Sequence, residues 1–186
     1  MRDIVLDGES LKIRDVVETG LGKTIVSLSN KAREKMENSR LGISRILQSG
    51  ETTYGVNTGF GALSSVSIDS DKLETLQVNL IRSHACGVGE EMENKHTLMM
   101  MLIRANTLCR GNSGARPLIV DTLISMINHK ICPIIPRIGS LGASGDLAPL
   151  SHLAMGMMGE GFCNIMNDDG NWIKMPALDA LSLIHI

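Results

Sequence analysis

Residues 139–152 read GSLGASGDLAPLSH, in which small residues and one acid come directly before an apolar run. Two interpretations fit this stretch. Ser144-Gly145-Asp146 is an ordinary start for a helix, with Asp146 as a plausible N-cap. Alternatively, the small residues from Gly142 onward let the backbone itself take part in chemistry, because glycine reaches conformations that are closed to other residues. The segment alone does not decide between them.

Two further side chains could carry chemistry. Tyr54 is the only tyrosine and lies in the glycine-rich, uncharged stretch 52–68, which suggests a packed or functional loop. A phenol normally titrates near pH 10, so a base requires a lowered pKa or a coupled network, whereas a packing tyrosine requires one hydroxyl partner. His84 falls on the apolar stripe of a predicted helix, where a core histidine or a cation at the helix end is the ordinary interpretation.

Three stretches together resemble the ammonia-lyases that act on aromatic amino acids. They are YGVNTGFG at 54–61, NLIRSHACGVG at 79–89 and the segment at 139–152. An isolated Ala-Ser-Gly would mean nothing, but three long motifs in the order and spacing of one family are specific. The resemblance is to the N-terminal part of that family. We therefore expect residues 1–186 to be a single N-terminal lyase domain from which the C-terminal helical bundle is absent.

The resemblance implies no external cofactor, but one made from the chain itself. In this family an Ala-Ser-Gly tripeptide, here Ala143-Ser144-Gly145, cyclises to a methylidene-imidazolone (MIO) ring. The amide nitrogen of Gly145 attacks the carbonyl carbon of Ala143, and Ser144 then loses its hydroxyl as water. Asp146 is implied to assist this maturation. Because strained backbone persists only where surrounding structure enforces it, we expect the ring to be unformed in this chain alone.

The resemblance also implies a reaction. Tyr54 matches the base that removes the substrate β-proton, and Ser83-His84 matches the pair of histidine-specific members, in which the histidine contacts the substrate side chain. The implied activity converts L-histidine to trans-urocanate and ammonia, and we expect this chain alone to lack it. Some tyrosine aminomutases carry Arg-Ser-His here, so a tyrosine ammonia-lyase or tyrosine 2,3-aminomutase stays open. A non-catalytic helical association module is the alternative of a different class.

Composition limits the partners and the compartment. The net charge is −2 with no long run of one sign, so we expect neither nucleic acid nor a membrane as a partner. No apolar run approaches the roughly 18 residues that cross a bilayer, and the N-terminus MRDIVLDGES is too charged for a signal peptide. We expect a cytoplasmic protein that acts on a small amino acid. The resemblance adds a homotetramer for the full-length protein.

Cysteine and histidine positions predict no metal site. Neither type shows the spacing of metal ligands. The four cysteines lie in or beside apolar segments without a CxxC pair, which favours buried free thiols; they are Cys86, Cys109, Cys132 and Cys163. His152 falls opposite the predicted apolar stripe of its helix, which indicates an exposed side chain or a surface hydrogen bond.

The elements that must position these residues are mainly helices. With 2% aromatic residues and 12 methionines, the core must be aliphatic and thioether, which suits packed helices. Apolar residues at three- and four-residue steps predict helices over about 10–18, 29–48, 69–86 and 93–110, from about 116 through the run LIVDTLISMI, over 146–159 and from 176 onward. KTIVSL at 23–28 predicts a strand, and FCNIM and NWIKM around NDDG predict a hairpin. The expected fold is mainly α with a few short strands.

Overall fold

The computed structural model describes residues 1–49, 53, 56, 58, 73–139 and 147–186. Within these ranges, the helices are α1 (Ile13–Gly20), α2 (Asn30–Ser49), α3 (Leu73–His84), α4 (Asn94–Leu108), α5 (Pro117–Asn128), α6 (Leu147–Met157) and α7 (Ala177–Ser182). The strands are β1 (Arg2–Leu6), β2 (Thr24–Leu28), β3 (Val88–Glu91), β4 (Ile131–Pro133), β5 (Pro136–Ile138), β6 (Phe162–Met166) and β7 (Trp172–Pro176). The predicted fold class, mainly α with a few short strands, is confirmed.

The strands form three small sheets. β1 and β2 pair in parallel, with Ile4 opposite Val26. β3 and β5 pair antiparallel, with Val88 opposite Ile138, and β4, β6 and β7 form an antiparallel sheet. The predicted hairpin is the β6–β7 pair of that sheet. β1, β3, β4 and β5 are three to five residues long and were not predicted, because such short strands carry little periodicity of their own.

Local signals place most helix ends correctly. The Ser29 hydroxyl accepts the backbone N–H of Ala32 at 3.1 Å and thus caps α2 as predicted. Pro117 opens α5, as predicted from its fixed φ. The predicted start of α1 at Ser10 is wrong, because the Asp7 carboxylate accepts the backbone N–H groups of Glu9 and Ser10 and holds them in a turn. These bonds lower the pKa of Asp7 to about 2.

The core lies around α4 and α5. Five residues of α4 and four of α5 are buried apolar side chains; they are Leu98, Met101, Leu102, Ala105, Leu108, Val120, Leu123, Met126 and Ile127. The methionines fill this aromatic-poor interior, as the composition predicted. α5 is thus a central helix.

Side-chain amides and ion pairs tie the outer elements to α5. Asn128 accepts the N–H of Val26 at 2.8 Å and donates to its carbonyl at 2.9 Å, so its amide acts as one more strand partner for β2. Arg33 of α2 forms two hydrogen bonds with Asp121 of α5, at 2.6 and 3.1 Å. Within the described ranges, no helix has the length and apolar content needed to cross a bilayer.

The buried face of α6 differs from the predicted one. The predicted stripe contained Leu147, Leu150, Ala154, Met157 and Met158, yet Leu147 is half exposed. The buried positions are instead Ala148, Leu153 and Gly156. The segment LAPLSHLAMGM is apolar on nearly all sides, so periodicity could not identify the face that packs against β4.

Adding a methyl group at Gly156 should destabilise the fold. An alanine Cβ there would lie 2.6 Å from Cβ and Cγ of Pro133, which is too close without a shift of α6 or β4. We expect Gly156→Ala to lower the free energy of unfolding in urea by about 1–3 kcal/mol. Gly42→Ala is the matched control, because its Cβ would meet nothing within 4 Å on helix α2. It should stabilise by about 0.5–1 kcal/mol. Equal stabilisation by both changes would contradict this packing.

Candidate active site

One of the predicted site residues, His84, belongs to the described part of the chain. Tyr54, Ala143, Ser144, Gly145 and Asp146 lie outside the described residues, as does most of the stretch 52–68. Their assigned roles stay predictions. The site is therefore built from its described neighbours, namely the two flanks of residues 140–146 and the helix that carries His84.

The two flanks of residues 140–146 meet each other at the end of α3. A Cβ on Gly139 would lie 3.0 Å from Cβ of Ala148 and 2.9 Å from Cα of Gly87. Gly139 follows β5, Ala148 is the second residue of α6, and Gly87 follows α3 by three residues. The described residues on the two sides of 140–146 therefore lie close to each other, and Gly87 lies close to Gly139.

Position 87 favours glycine because neighbouring residues lie close to it, and not because of its backbone φ angle. The sequence predicted Gly87 as the left-handed residue after α3, but it is not in the left-handed conformation. A Cβ there would lie 3.2 Å from Cβ of Pro136 and 3.0 Å from the ring nitrogen Nε2 of His152. β5, α6 and the end of α3 can therefore come together only because residue 87 has no side chain.

α3 packs along α6, and an ion pair fastens its last turn. The face towards α6 is apolar and partly buried, with Leu76 and Leu80 among its residues. In the last turn of α3, Arg82 donates to both carboxylate oxygens of Glu160, and the shortest of these hydrogen bonds is 2.6 Å long. Arg82 lowers the pKa of the Glu160 carboxyl. Both side chains are partly exposed, so the pair contributes little stability but fixes the angle of the helix end.

His84 is half-buried, and its hydrogen bonds determine its tautomer. Its Nδ1 lies 2.9 Å from the carbonyl oxygen of Leu80, and the Ser83 hydroxyl lies 3.1 Å from the same nitrogen. A carbonyl oxygen can only accept, so Nδ1 carries the proton. In the neutral ring, Nε2 is then left as an acceptor. His84 can accordingly accept a hydrogen bond from a ligand that carries an N–H or O–H group.

A cleft lies beside α3, and Val56 is among the residues that line it. It has a volume of about 620 Å³ and lies between α2, α3 and the loop before α5. Its lining includes Val56, Glu74 and Gln77, but not His84. Val56 lies two residues after Tyr54, and Gln77 lies about 10 Å along α3 from His84 at 1.5 Å per residue. α3 therefore runs from the neighbourhood of the tyrosine motif to the flanks of residues 140–146.

His152 was not recognised as part of this region from the sequence. Its side chain is partly buried, and Nε2 accepts the backbone N–H of Gly87 at 3.1 Å. The predicted hydrogen bond is present, but it lies at the junction of α6, β5 and the end of α3 rather than at an open surface. Burial lowers the pKa of His152. Because the bond joins residues 65 positions apart, no local signal could have revealed it.

The cysteines follow the prediction with one exception. Cys109, Cys132 and Cys163 are buried free thiols, whereas Cys86 is exposed beside His84. Burial raises the pKa of Cys109 and of Cys163 to about 11 and that of Cys132 further still. Among the described residues, no three His, Cys, Asp or Glu side chains form a cluster that could hold a metal ion.

Comparison with known proteins identifies relatives along nearly the whole chain. Histidine ammonia-lyase from Staphylococcus saprophyticus is 50% identical over 97% of this chain, and that from Geobacillus thermodenitrificans is 45% identical over 96%. The chain spans 38% and 34% of the length of these two relatives.

Solved structures show the same fold. Histidine ammonia-lyase from Trypanosoma cruzi matches with a TM-score of 0.87 and 37% identity, and the chain covers 34% of it. Tyrosine aminomutase from Streptomyces globisporus matches with a TM-score of 0.85 and 33% identity, and the chain covers 34% of that protein. The family model described as aromatic amino acid lyase matches residues 11–186. Because this family model covers most of the chain, the chain belongs to the aromatic amino acid lyase family.

Proposed function

We propose that this chain is part of a histidine ammonia-lyase that converts L-histidine to trans-urocanate and ammonia. The observation that carries the proposal is the close approach of Gly87, three residues after His84, to Gly139 before residues 140–146 and to His152 of α6 after them. Relatives named histidine ammonia-lyase at 45% and 50% identity support the same substrate. The homotetramer and the cytoplasmic location implied by the resemblance stay predictions.

His84 is proposed to recognise the side chain of the substrate. Its Nδ1–H is engaged by the Leu80 carbonyl, so the neutral ring has Nε2 as its acceptor. The imidazole of histidine carries an N–H that suits this acceptor, whereas the phenyl ring of phenylalanine has no donor to offer. A tyrosine hydroxyl is also a donor, which favours a tyrosine lyase or aminomutase as the second candidate. The likeness to a tyrosine aminomutase structure agrees with that alternative.

The remaining roles concern proton removal and the self-derived cofactor. Tyr54 is proposed to accept the β-proton of the substrate. The MIO ring from Ala143-Ser144-Gly145 would supply an electrophilic alkene, which turns the amine into a better leaving group. The described flanks fit such a ring, since Gly139 and Ala148 hold the two ends of the segment together. Asp146, directly after the tripeptide, is proposed to assist its maturation.

The mass of residues 143–145 tests the cofactor directly. In a full-length lyase that contains this chain, we expect the tryptic peptide with these residues to be lighter than its sequence by two water molecules. Ser144→Ala has no hydroxyl to lose, so its peptide should not show the loss of both waters, and urocanate formation should fall to background. Ser151→Ala on α6 is the control and should keep both properties. An unmodified peptide in an active enzyme would contradict the proposed cofactor.

Removing the phenol at position 54 should affect turnover more than binding. In the full-length enzyme we expect Tyr54→Phe to lower kcat for histidine by about 10²–10⁴-fold, the usual contribution of a general base. KM should change by much less, because the ring is retained. Steady-state kinetics of urocanate formation measure both values. A rise in KM with unchanged kcat would assign Tyr54 to packing or binding instead.

Removing the acceptor at position 84 should change substrate preference. In the full-length enzyme we expect His84→Leu to lower kcat/KM for histidine by about 10- to 100-fold, as for one lost hydrogen bond in a closed site. The ratio of phenylalanine to histidine activity should rise. His129→Leu is the matched control, because His129 makes the same kind of bond, 2.8 Å to the Ser125 carbonyl, at an exposed position directly after α5. Unchanged activity on histidine would leave His84 as a packing residue.

A further inference from the structure

The hydrogen bond between His152 and Gly87 joins α6 to the turn after α3. Gly87 donates its backbone N–H, so Nε2 of His152 carries no proton when the bond is formed. The proton of the neutral ring is then on Nδ1. This bond is a direct polar link between the helix that follows the Ala-Ser-Gly segment and the turn that follows His84.

Packing leaves this bond little freedom to move. The position of a Cβ on Gly87 is only 3.0 Å from Nε2 and 3.3 Å from Cδ2 of His152. The Cβ of Pro136 on β5 is 3.2 Å from the same point. The imidazole on α6 and the proline on β5 therefore both lie close to Gly87.

The surroundings of His152 keep its ring neutral. α6 contains no Asp, Glu, Lys or Arg between Leu147 and Met157. On β5, Arg137 is exposed and lies 3.6 Å from Glu90 of β3. The end of α3 contributes His84 and Cys86. Burial lowers the pKa of His152, which favours the form of the ring that can accept the Gly87 N–H.

We propose that His152 is a positioning residue for His84. By accepting the N–H of Gly87, it fixes the turn after α3 against α6 and so determines where His84 lies relative to α6 and Gly139. The position of the turn follows from the contacts above, while its importance for catalysis rests on the proposed function. A second proton on the ring would place two N–H groups against each other and break the bond.

The direction of the pH effect follows from the lowered pKa. An unfolded chain has the ordinary histidine value near 6.5 and binds its proton at a higher pH than the folded chain does. The contribution of the neutral ring to folding is therefore complete above about pH 6.5. It is lost progressively as the pH falls from there towards the lower folded value. The turn after α3 should loosen over the same pH interval.

Nuclear magnetic resonance on the labelled chain tests the positioning role. We expect the Gly87 amide shift to titrate with the same midpoint as the His152 ring, and the ring to have its proton on Nδ1 at pH 7.5. His152→Leu should speed hydrogen exchange of the Gly87 amide about five- to tenfold, the range expected for one lost hydrogen bond. His152→Gln, whose amide oxygen can accept the same N–H, should keep exchange close to wild type. His129→Gln on α5 should have no effect.

Several outcomes would overturn the proposal. The first is a Gly87 amide shift that does not change as His152 titrates. The second is a Gly87 exchange rate that stays unchanged in His152→Leu. The third is a Gly87 exchange rate that is as high in His152→Gln as in His152→Leu. If His152→Leu does not fold, the titration of the wild-type chain decides alone. None of these measurements uses lyase activity, so they separate this proposal from the proposed function.

Kinetics of the full-length enzyme test the consequence for catalysis. His152→Leu should lower kcat/KM for histidine and move the acidic limb of its pH profile, while His152→Gln should restore most of the rate. An inactive wild-type enzyme would contradict the proposed function and leave the Gly87 contact intact. An active His152→Leu enzyme with an unchanged pH profile would show that the contact does not position His84.

Discussion

Three parts of the chain meet at Gly87 with less space between them than a methyl group needs. α6 approaches Gly87 with the ring of His152, and β5 approaches it with Pro136. A Cβ on Gly139 would lie 2.9 Å from the Cα of Gly87. Dense packing of this kind transmits a displacement instead of absorbing it, because there is no free volume into which a neighbour can move. The position of the turn after α3 relative to β5 and α6 therefore depends on this contact.

The dependence is strong because α3 is otherwise weakly held. α4 and α5 bury most of their inward side chains completely, whereas the described side chains of α3 are at most partly buried. Its ion pair with Glu160 is partly exposed and so contributes little to stability. A helix with few buried contacts opens more easily than the core does. The proposed positioning of His84 therefore relies on the Gly87 contact more than on burial of α3 itself.

Sequence and structure agree where the signal is local and differ where it is not. The hydroxyl of Ser29, the ring of Pro117 and the NDDG turn act on residues within four positions, so the elements they begin or connect were predictable. Gly87 directly follows the predicted helix over 69–86, so it was assigned to the helix end, where glycine commonly occurs. Its actual reason is contact with residues 49 to 65 positions away, which periodicity does not encode. His152 was placed on the wrong side of α6 because the helix is apolar on nearly every side.

The two histidines of this region use the same tautomer for complementary purposes. His84 donates its Nδ1–H to the carbonyl of Leu80, which leaves Nε2 of the neutral ring as an acceptor. His152 uses Nε2 as the acceptor that holds the turn after His84. A second proton on the His152 ring would replace that acceptor by a donor that faces the N–H of Gly87. The link between α6 and the turn after His84 therefore requires a neutral His152 ring, which its burial favours by lowering its pKa.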